Sequence, residues 1–175
     1  GAGVVMAQPP HYPADVLARA ANIRLIGFDV DGTLTDGGLL FGSDGHEQKC
    51  FHVQDGLGLV LLRHAGIATA LVSARNSAVT AARGRELKIP HLHIGETRKL
   101  DCIRKLAAES GLSMDAVAFM GDDLPDLATL RAVGLAIVDK VGNVSALSSL
   151  ECGTPAEVTD FYESYRARGG KAGGF

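Results

Sequence analysis

Short apolar runs rich in β-branched residues alternate along this chain with longer segments whose apolar residues recur every three or four positions. Runs of this kind are typical of strands buried on both faces of a parallel sheet. They predict strands over residues 23–28, 67–72, 91–94, 117–120 and 135–138. The alternation of strand and helix predicts an α/β fold, a Rossmann-like parallel sheet with helices on both faces.

The segments between the strands show a helical period in their apolar residues. The residues that mark this period are Leu57, Val60, Leu61 and His64; Val79, Ala82 and Leu87; and Leu100, Ile103, Leu106 and Ala107. A further helix is expected over residues 124–132, before the last strand. Such alternation implies right-handed crossovers between the parallel strands.

Residues 35–55 interrupt the alternation. Two short strand-like runs, 39–41 and 49–53, flank the turn sequence Ser43-Asp44-Gly45, which predicts a small inserted β-hairpin and no separate cap domain. The hairpin is more apolar than a solvated insertion should be, which favours burial at a subunit interface over a ligand pocket. The apolar residues concerned are Leu39, Leu40, Phe41, Phe51 and Val53.

The chain has 175 residues, 46% of them hydrophobic, which suffices for one domain with a substantial core. We expect a domain over residues 13–155 and a tail over 156–175, and we interpret residues 1–5 as a cloning remnant or frayed end. The net charge of -3 and the dispersed lysines and arginines argue against a nucleic-acid partner. Three cysteines without C-x-x-C spacing, and no long apolar run, predict a cytoplasmic protein without membrane attachment.

Polar residues follow the predicted strands, at the edge where open α/β sheets bind ligands. The loops after the strands carry Asp29-Val30-Asp31-Gly32-Thr33, Ser73-Ala74-Arg75 and Gly121-Asp122-Asp123-Leu124-Pro125-Asp126, and Lys99 begins the helix after the third strand. Four separate segments therefore bring carboxylates, a hydroxyl and an ammonium to one rim of the sheet.

Asp29 and Asp31 lie two residues apart on an extended segment, so their side chains can address one reacting centre. This arrangement suits a nucleophile, Asp29, and an acid/base, Asp31, acting on a phosphate ester. The two carboxylates would repel each other, and Asp122 adds a third anion, so a divalent cation is implied. Two carboxylates and a backbone carbonyl from Asp29, Asp31 and Asp122 match the oxygen ligands of Mg²⁺.

Ser73 and Lys99 would bind the equatorial oxygens of the phosphate. Each residue has a simpler alternative: Ser73 as a helix cap, Lys99 as a solvated charge, and Asp122 with Asp123 as an N-cap pair. Arg75 is either a partner for a substrate carboxylate or a surface charge. The histidines His91 and His93 alternate along a strand without a third nitrogen or sulfur ligand nearby, which favours packing over metal binding.

In order and spacing, these residues resemble the four motifs of the haloacid dehalogenase superfamily of phosphatases, over residues 23–138. The resemblance implies Mg²⁺-dependent hydrolysis through an aspartyl phosphate on Asp29, with Asp31, Ser73, Lys99 and Asp122 in the roles given above. It also implies supporting positions near the metal for Thr33, Asp123 and Asp126.

Within the superfamily, the sequence DVDGTLTDG from Asp29, the short hairpin, and the pattern Lys49, Phe51, Asp55-Gly56 are similar to small capless sugar-acid phosphatases. The greatest similarity is to the family that acts on 3-deoxy-D-manno-octulosonate 8-phosphate, which implies a homotetramer formed through the hairpins and a role in lipopolysaccharide precursor synthesis. A related member acts on the 9-phosphate of a nine-carbon sugar acid, so that substrate remains an alternative. After Val138 the sequence departs from the family, because residues 168–175 do not match its Gly-Gly-x-Gly tail.

Other functions are disfavoured by particular features. A catalytically inactive member of the fold would not need both Asp29 and Asp31, and a dehalogenase has no use for Asp31 as an acid. A phosphomutase usually needs a cap domain to exclude water from its intermediate, and no segment here is long enough for one. A magnesium-binding module without activity would bind the metal and release no phosphate.

Overall fold

The structure is a computed structural model that describes residues 12–138 and 151–153. The helices are α1 (Ala14–Asn22), α2 (Val53–His64), α3 (Ala78–Glu86), α4 (Lys99–Glu109) and α5 (Leu127–Leu130), with short 3-10 helices at Met114–Ala116 and Leu124–Asp126. The strands are β1 (Leu25–Phe28), β2 (Leu40–Phe41), β3 (Glu47–Gln48), β4 (Ala68–Ser73), β5 (His91–Ile94), β6 (Val117–Gly121), β7 (Leu135–Val138) and β8 (Glu151–Gly153).

The main sheet has the strand order β5-β4-β1-β6-β7-β8. The first five strands are parallel, and β8 pairs antiparallel with β7 at the edge. All five predicted strands are confirmed, and their ends lie within two residues of the predicted ends. The segment of β8 contains no apolar run, so its sequence gave no indication of a strand.

Helices cover both faces of this sheet, as predicted. Along β1, Leu25 packs into one core cluster with Ile103 of α4, whereas Ile26 and Phe28 pack into a second cluster with Leu59 of α2. Successive residues of a strand point to opposite faces, so β1 contributes to both clusters. The Rossmann-like α/β fold is therefore confirmed.

Helix α2 occurs where the helical period predicted it, but another face is buried. Gly56 and Leu59 face the core, whereas Leu57 and Leu61 are 58% and 59% exposed. Gly56 has no side chain and comes close to Arg83 and Leu87, which lets this face of the helix approach its neighbours. Leu57 and Leu61, which helped to predict the helix, therefore form an exposed apolar strip on α2.

The inserted hairpin is confirmed, with a correction to its second strand. The turn at Gly45 has a positive φ of 79°, and β2 pairs with Glu47–Gln48 instead of with residues 49–53. A bridge between Thr35 and Phe51 closes the base of the hairpin. Val53 belongs to the first turn of α2, so the insertion ends before residue 55.

The apolar tip of the hairpin is open to solvent in the single chain. Leu39, Leu40 and Phe41 are 51%, 59% and 60% exposed. In contrast, Phe51 is half-buried and lies beneath the guanidinium of Arg83, 5.9 Å from the ring centre. Leu39, Leu40 and Phe41 are therefore the hairpin residues, among the apolar residues that predicted a subunit interface, that form an exposed patch.

None of the helices within the described residues has the length and apolar character needed to span a bilayer. The predicted tail, residues 156–175, lies outside the described residues. The division into a domain over 13–155 and that tail stays a prediction.

Candidate active site at the carboxyl ends of the strands

Asp29 directly follows β1 at the centre of the sheet. Its backbone N–H donates to the carbonyl oxygen of Met120 at 2.8 Å, which continues the pairing of β1 with β6 by one residue. The chain then turns, and the N–H of Leu34 donates to the carbonyl of Val30 at 2.9 Å. The Asp29 carboxylate is therefore fixed at the end of a buried strand, where it is only 6% exposed.

Three carboxylates meet around this position. Oxygen atoms of Asp29, Asp122 and Asp126 all lie within 4.8 Å of one another. The ammonium of Lys99, at the first position of α4, lies 2.7 Å from Asp29 and 2.6 Å from Asp126. Asp29, Lys99 and Asp126 are almost entirely shielded from water, whereas Asp122 is half-buried.

Two glycines allow these carboxylates to approach the backbone. A Cβ atom at Gly32 would overlap the carboxylate of Asp122, and one at Gly121 would overlap that of Asp126. Gly32 also has a φ of 95°, which disfavours any other residue. Gly32 is therefore explained by close contact between the two acidic motifs, and Gly121 by close contact within the second motif.

Burial and mutual repulsion perturb the pKa of each carboxyl in the acidic cluster Asp29, Asp122 and Asp126. Burial, reinforced by the charge of Asp29, raises the pKa of Asp122 to about 7. The pKa values of Asp29 and Asp126 are raised, chiefly by burial, although Lys99 opposes both shifts. Burial alone would lower the pKa of Lys99, but the charges of Asp126 and Asp29 outweigh it and raise that pKa.

The acidic cluster has the composition of a site for a hard divalent cation. It combines three carboxylates with one ammonium, and burial together with the charge of Asp29 raises the pKa of Asp122. Oxygen ligands of this kind suit Mg²⁺ better than metals that prefer nitrogen or sulfur. Within the described residues, this is the one group of three such side chains, and it includes neither His91 nor His93.

The carboxylate of Asp31 is not part of the acidic cluster and has other partners. One of its oxygens pairs with the ammonium of Lys49, and the other accepts from the hydroxyl of Ser73 at 3.4 Å. Of the predicted metal ligands, Asp29 and Asp122 lie in the cluster, whereas Asp31 would contribute through its backbone carbonyl. Metal ligation by these residues stays a prediction, as do the catalytic roles of Asp29 and Asp31 and phosphate binding by Ser73 and Lys99.

The predicted supporting residues surround Asp122 and the turn that follows it. The hydroxyl of Thr33 donates to Asp122 at 2.9 Å. The side chain of Asp123 caps the 3-10 helix by accepting from the N–H of Leu124 at 2.7 Å, and Asp126 accepts from the N–H of Asp123 at 3.4 Å. Asp123 is thus the capping member of the Asp122–Asp123 pair.

Two residues of the hairpin reach this rim, and sequence reasoning did not assign them to the site. Glu47 accepts from the guanidinium of Arg75 at 2.9 Å and from the hydroxyl of Ser77 at 2.5 Å, and Lys49 pairs with Asp31. Glu47 and Lys49 are two residues apart, so an extended backbone directs them to the same side, which is the one indication the sequence offers. The substrate-binding role predicted for Arg75 stays a prediction.

A scan of the chain against models of known protein families gives no match. Individual relatives are nevertheless similar. The 3-deoxy-D-manno-octulosonate 8-phosphate phosphatase of Escherichia coli K12 is 38% identical over 124 residues, which are 71% of this chain and 66% of that protein. The chain thus spans slightly less than two thirds of the length of this curated relative.

Solved structures extend the similarity to the fold. The 3-deoxy-D-manno-octulosonate 8-phosphate phosphatase of Moraxella catarrhalis, determined with magnesium, phosphate and KDO, is 39% identical, with a TM-score of 0.72 over 75% of this chain and 76% of that one. The cobalt-bound deoxy-D-mannose-octulosonate 8-phosphate phosphatase of Haemophilus influenzae is 30% identical, with a TM-score of 0.68 over 86% of this chain and 92% of that one. A neighbour from Legionella pneumophila, 39% identical with a TM-score of 0.71, is described as a haloacid dehalogenase (HAD) superfamily hydrolase. The chain therefore belongs to the 3-deoxy-D-manno-octulosonate 8-phosphate phosphatase family of the haloacid dehalogenase superfamily.

Proposed function

We propose that this protein is a Mg²⁺-dependent phosphatase that hydrolyses 3-deoxy-D-manno-octulosonate 8-phosphate to the free sugar acid and inorganic phosphate. The observation that carries the proposal is the position of Asp29, a buried carboxylate 2.7 Å from Lys99 and in one cluster with Asp122 and Asp126. Membership of the phosphatase family supports the reaction, and the names of the relatives support the substrate.

In the first step, a carboxylate oxygen of Asp29 attacks phosphorus and the bond from phosphorus to the ester oxygen breaks. Asp31 gives its proton to the departing alkoxide of the sugar acid. Asp29 needs to be ionised for this attack, and contact with the ammonium of Lys99 favours the ionised form. The products of this step are the free sugar acid and a phosphoryl group bound to Asp29.

In the second step, Asp31 takes a proton from water, and the resulting hydroxide attacks the phosphorus of the aspartyl phosphate. Inorganic phosphate leaves, and both carboxyl groups return to their starting state. Lys99 and the Ser73 hydroxyl contact the phosphoryl oxygens during both steps, which stabilises charge in the transition state. Asp29, Asp122 and the backbone carbonyl of Asp31 would hold a Mg²⁺ ion, which would supply positive charge that lowers the repulsion between the nucleophile and the phosphate.

Arg75 is the proposed partner of the substrate carboxylate. It lies on the loop after β4, its side chain is 41% exposed, and its one contact with Glu47 leaves guanidinium donors for a second acceptor. An arginine can hold a carboxylate with two parallel hydrogen bonds, which suits recognition of a sugar acid. We place the reaction in the cytoplasmic synthesis of lipopolysaccharide precursors, as the resemblance in the sequence motifs implies.

The proposed assembly is a homotetramer in which the hairpins contact one another. Leu39, Leu40 and Phe41 form an exposed apolar patch on a hairpin whose strands have only two residues each. So short a hairpin is marginal in water by itself, and packing against other copies would bury its apolar tip. The same contact would place a neighbouring chain near the active site, which has no cap to exclude water.

The phosphatase reaction can be tested by measuring phosphate release from 3-deoxy-D-manno-octulosonate 8-phosphate in the presence of Mg²⁺. The wild type should be active, and Asp29→Asn should lower kcat by at least about 1,000-fold, because an amide cannot act as the nucleophile. Asp15→Asn, which changes an exposed carboxylate on α1, should retain full activity. Greater activity on the 9-phosphate of a nine-carbon sugar acid would reassign the substrate, and undiminished activity of Asp29→Asn would contradict the mechanism.

The raised pKa of Asp122 predicts that Mg²⁺ affinity depends on pH. Binding requires the carboxylate, so protons compete with the metal below the pKa of about 7. The dissociation constant measured by calorimetry should be about tenfold weaker at pH 6 than at pH 8, and should change little above pH 8. Asp122→Asn should bind more weakly and lose most of this dependence, whereas an equally steep dependence in the variant would show that another group titrates.

The double substitution of Leu40 and Phe41 by Ser should dissociate the assembly. Sedimentation velocity should show a tetramer for the wild type and smaller species for the variant, because the exposed apolar patch is removed. Leu17→Ser, at an exposed leucine on α1, serves as the matched control and should remain tetrameric. A monomeric wild type, or an intact tetramer after the double substitution, would assign the hairpin another role.

A further inference from the structure

Lys49 is a buried lysine of the hairpin whose ammonium pairs with the carboxylate of Asp31. Its side chain is 1% exposed, whereas that of Asp31 is 20% exposed. Removing an ammonium from water is unfavourable unless it is paired and hydrogen-bonded. The side chain of Lys49 thus extends from the hairpin to the active-site rim, where its ammonium contacts Asp31, the proposed acid/base.

The hairpin holds Lys49 in place through Glu47. Glu47 lies 3.8 Å from the Lys49 ammonium, and it accepts from Arg75 at 2.9 Å and from Ser77 at 2.5 Å. Arg75 and Ser77 belong to the loop that joins β4 to α3. Together with the bridge at the base of the hairpin, these contacts tie the end of β3 to the rim of the main sheet.

Both oxygens of the Asp31 carboxylate have partners outside the acidic cluster. Lys49 takes one oxygen and Ser73 lies 3.4 Å from the other, and Asp31 is not among the three carboxylates that converge within 4.8 Å. Without Lys49, the carboxylate of Asp31 is free to turn toward a cation held by that cluster. A carboxylate that ligates a metal cannot at the same time carry the proton that the leaving group needs.

Resting on the function proposed above, we propose that Lys49 is a positioning residue that holds Asp31 in its acid/base position and keeps its carboxylate out of the metal site. Lys49 acts through Asp31, so its contribution depends on how much the leaving group needs a proton. Departure of a sugar alkoxide needs protonation, whereas p-nitrophenolate leaves readily without it. This selectivity separates positioning of Asp31 from a general structural role of the lysine.

The test measures release of the leaving group in a single turnover, with enzyme in excess, so that the later hydrolysis of the aspartyl phosphate does not contribute. The substrates are 3-deoxy-D-manno-octulosonate 8-phosphate and p-nitrophenyl phosphate. Lys49→Met should slow release of the sugar acid by about 100-fold, the lower end of the effect of general acid catalysis, and release of p-nitrophenol by less than about tenfold. Lys105→Met, at an exposed lysine on α4, is the control and should leave both rates unchanged.

A double-mutant cycle with Asp31→Asn tests whether Lys49 acts through Asp31. In the Asp31→Asn background, Lys49→Met should slow release of the sugar acid by less than about threefold further, because the group that it positions is already absent. Mg²⁺ titration by calorimetry gives a second readout: Lys49→Met should bind Mg²⁺ more tightly than the wild type, and this gain should disappear in the double variant. The proposal is overturned by multiplicative losses in the cycle, by equal losses for the two substrates, or by unchanged Mg²⁺ affinity in Lys49→Met.

Glu47→Gln keeps the test decisive if Lys49→Met does not fold. This variant retains Lys49 and weakens the contact that holds it, so the same selective loss on the sugar phosphate is expected at a smaller magnitude. Equal rates for the variant and the wild type, or equal losses on both substrates, would contradict the positioning role. A wild type that releases neither leaving group would instead refute the proposed function itself.

Discussion

Much of this structure depends on a buried group of charges, the carboxylates of Asp29, Asp122 and Asp126 with the ammonium of Lys99. Asp29 directly follows β1, Asp122 and Asp126 follow β6, and Lys99 begins α4. The group therefore links the centre of the sheet to the helix on one of its faces. Three negative charges and one positive charge leave a net charge of two negative charges, which one divalent cation would neutralise. Uncompensated buried charge is costly, so a metal bound at this point would stabilise the site as well as supply charge for the proposed chemistry.

The two carboxyl groups that the proposed mechanism uses lie in different surroundings. Asp29 lies in the acidic cluster beside Lys99. Asp31, only two residues away, is partly exposed and is paired with the hairpin through Lys49. In the proposals above, the hairpin contributes to the assembly through its apolar tip and to the chemistry through Lys49, which directly follows β3. A change in how the hairpin packs would affect the position of the acid/base.

The sequence was sufficient to predict the features that depend on local patterns. The five parallel strands were predicted from short apolar runs, and the residues at their ends were predicted to share one rim because parallel strands end at the same edge. The pairing of Lys49 with Asp31 was not predictable, because it depends on how the hairpin folds back across the sheet. The buried face of α2 was also missed, because the contact made at Gly56 outweighs the exposed Leu57 and Leu61 in setting how the helix packs.

The central claim is that Asp29 carries the phosphoryl group during the reaction. An acyl phosphate on aspartate is reduced by borohydride to homoserine, so quenching the enzyme with borohydride during turnover marks the residue that was phosphorylated. With p-nitrophenyl phosphate, whose leaving group does not need an acid, Asp31→Asn should let the intermediate accumulate, because the group that activates water for the second step is missing. Peptide mass spectrometry should then find homoserine at position 29. Reduction at another residue, or continued phosphate release without any reduced aspartate, would contradict the account.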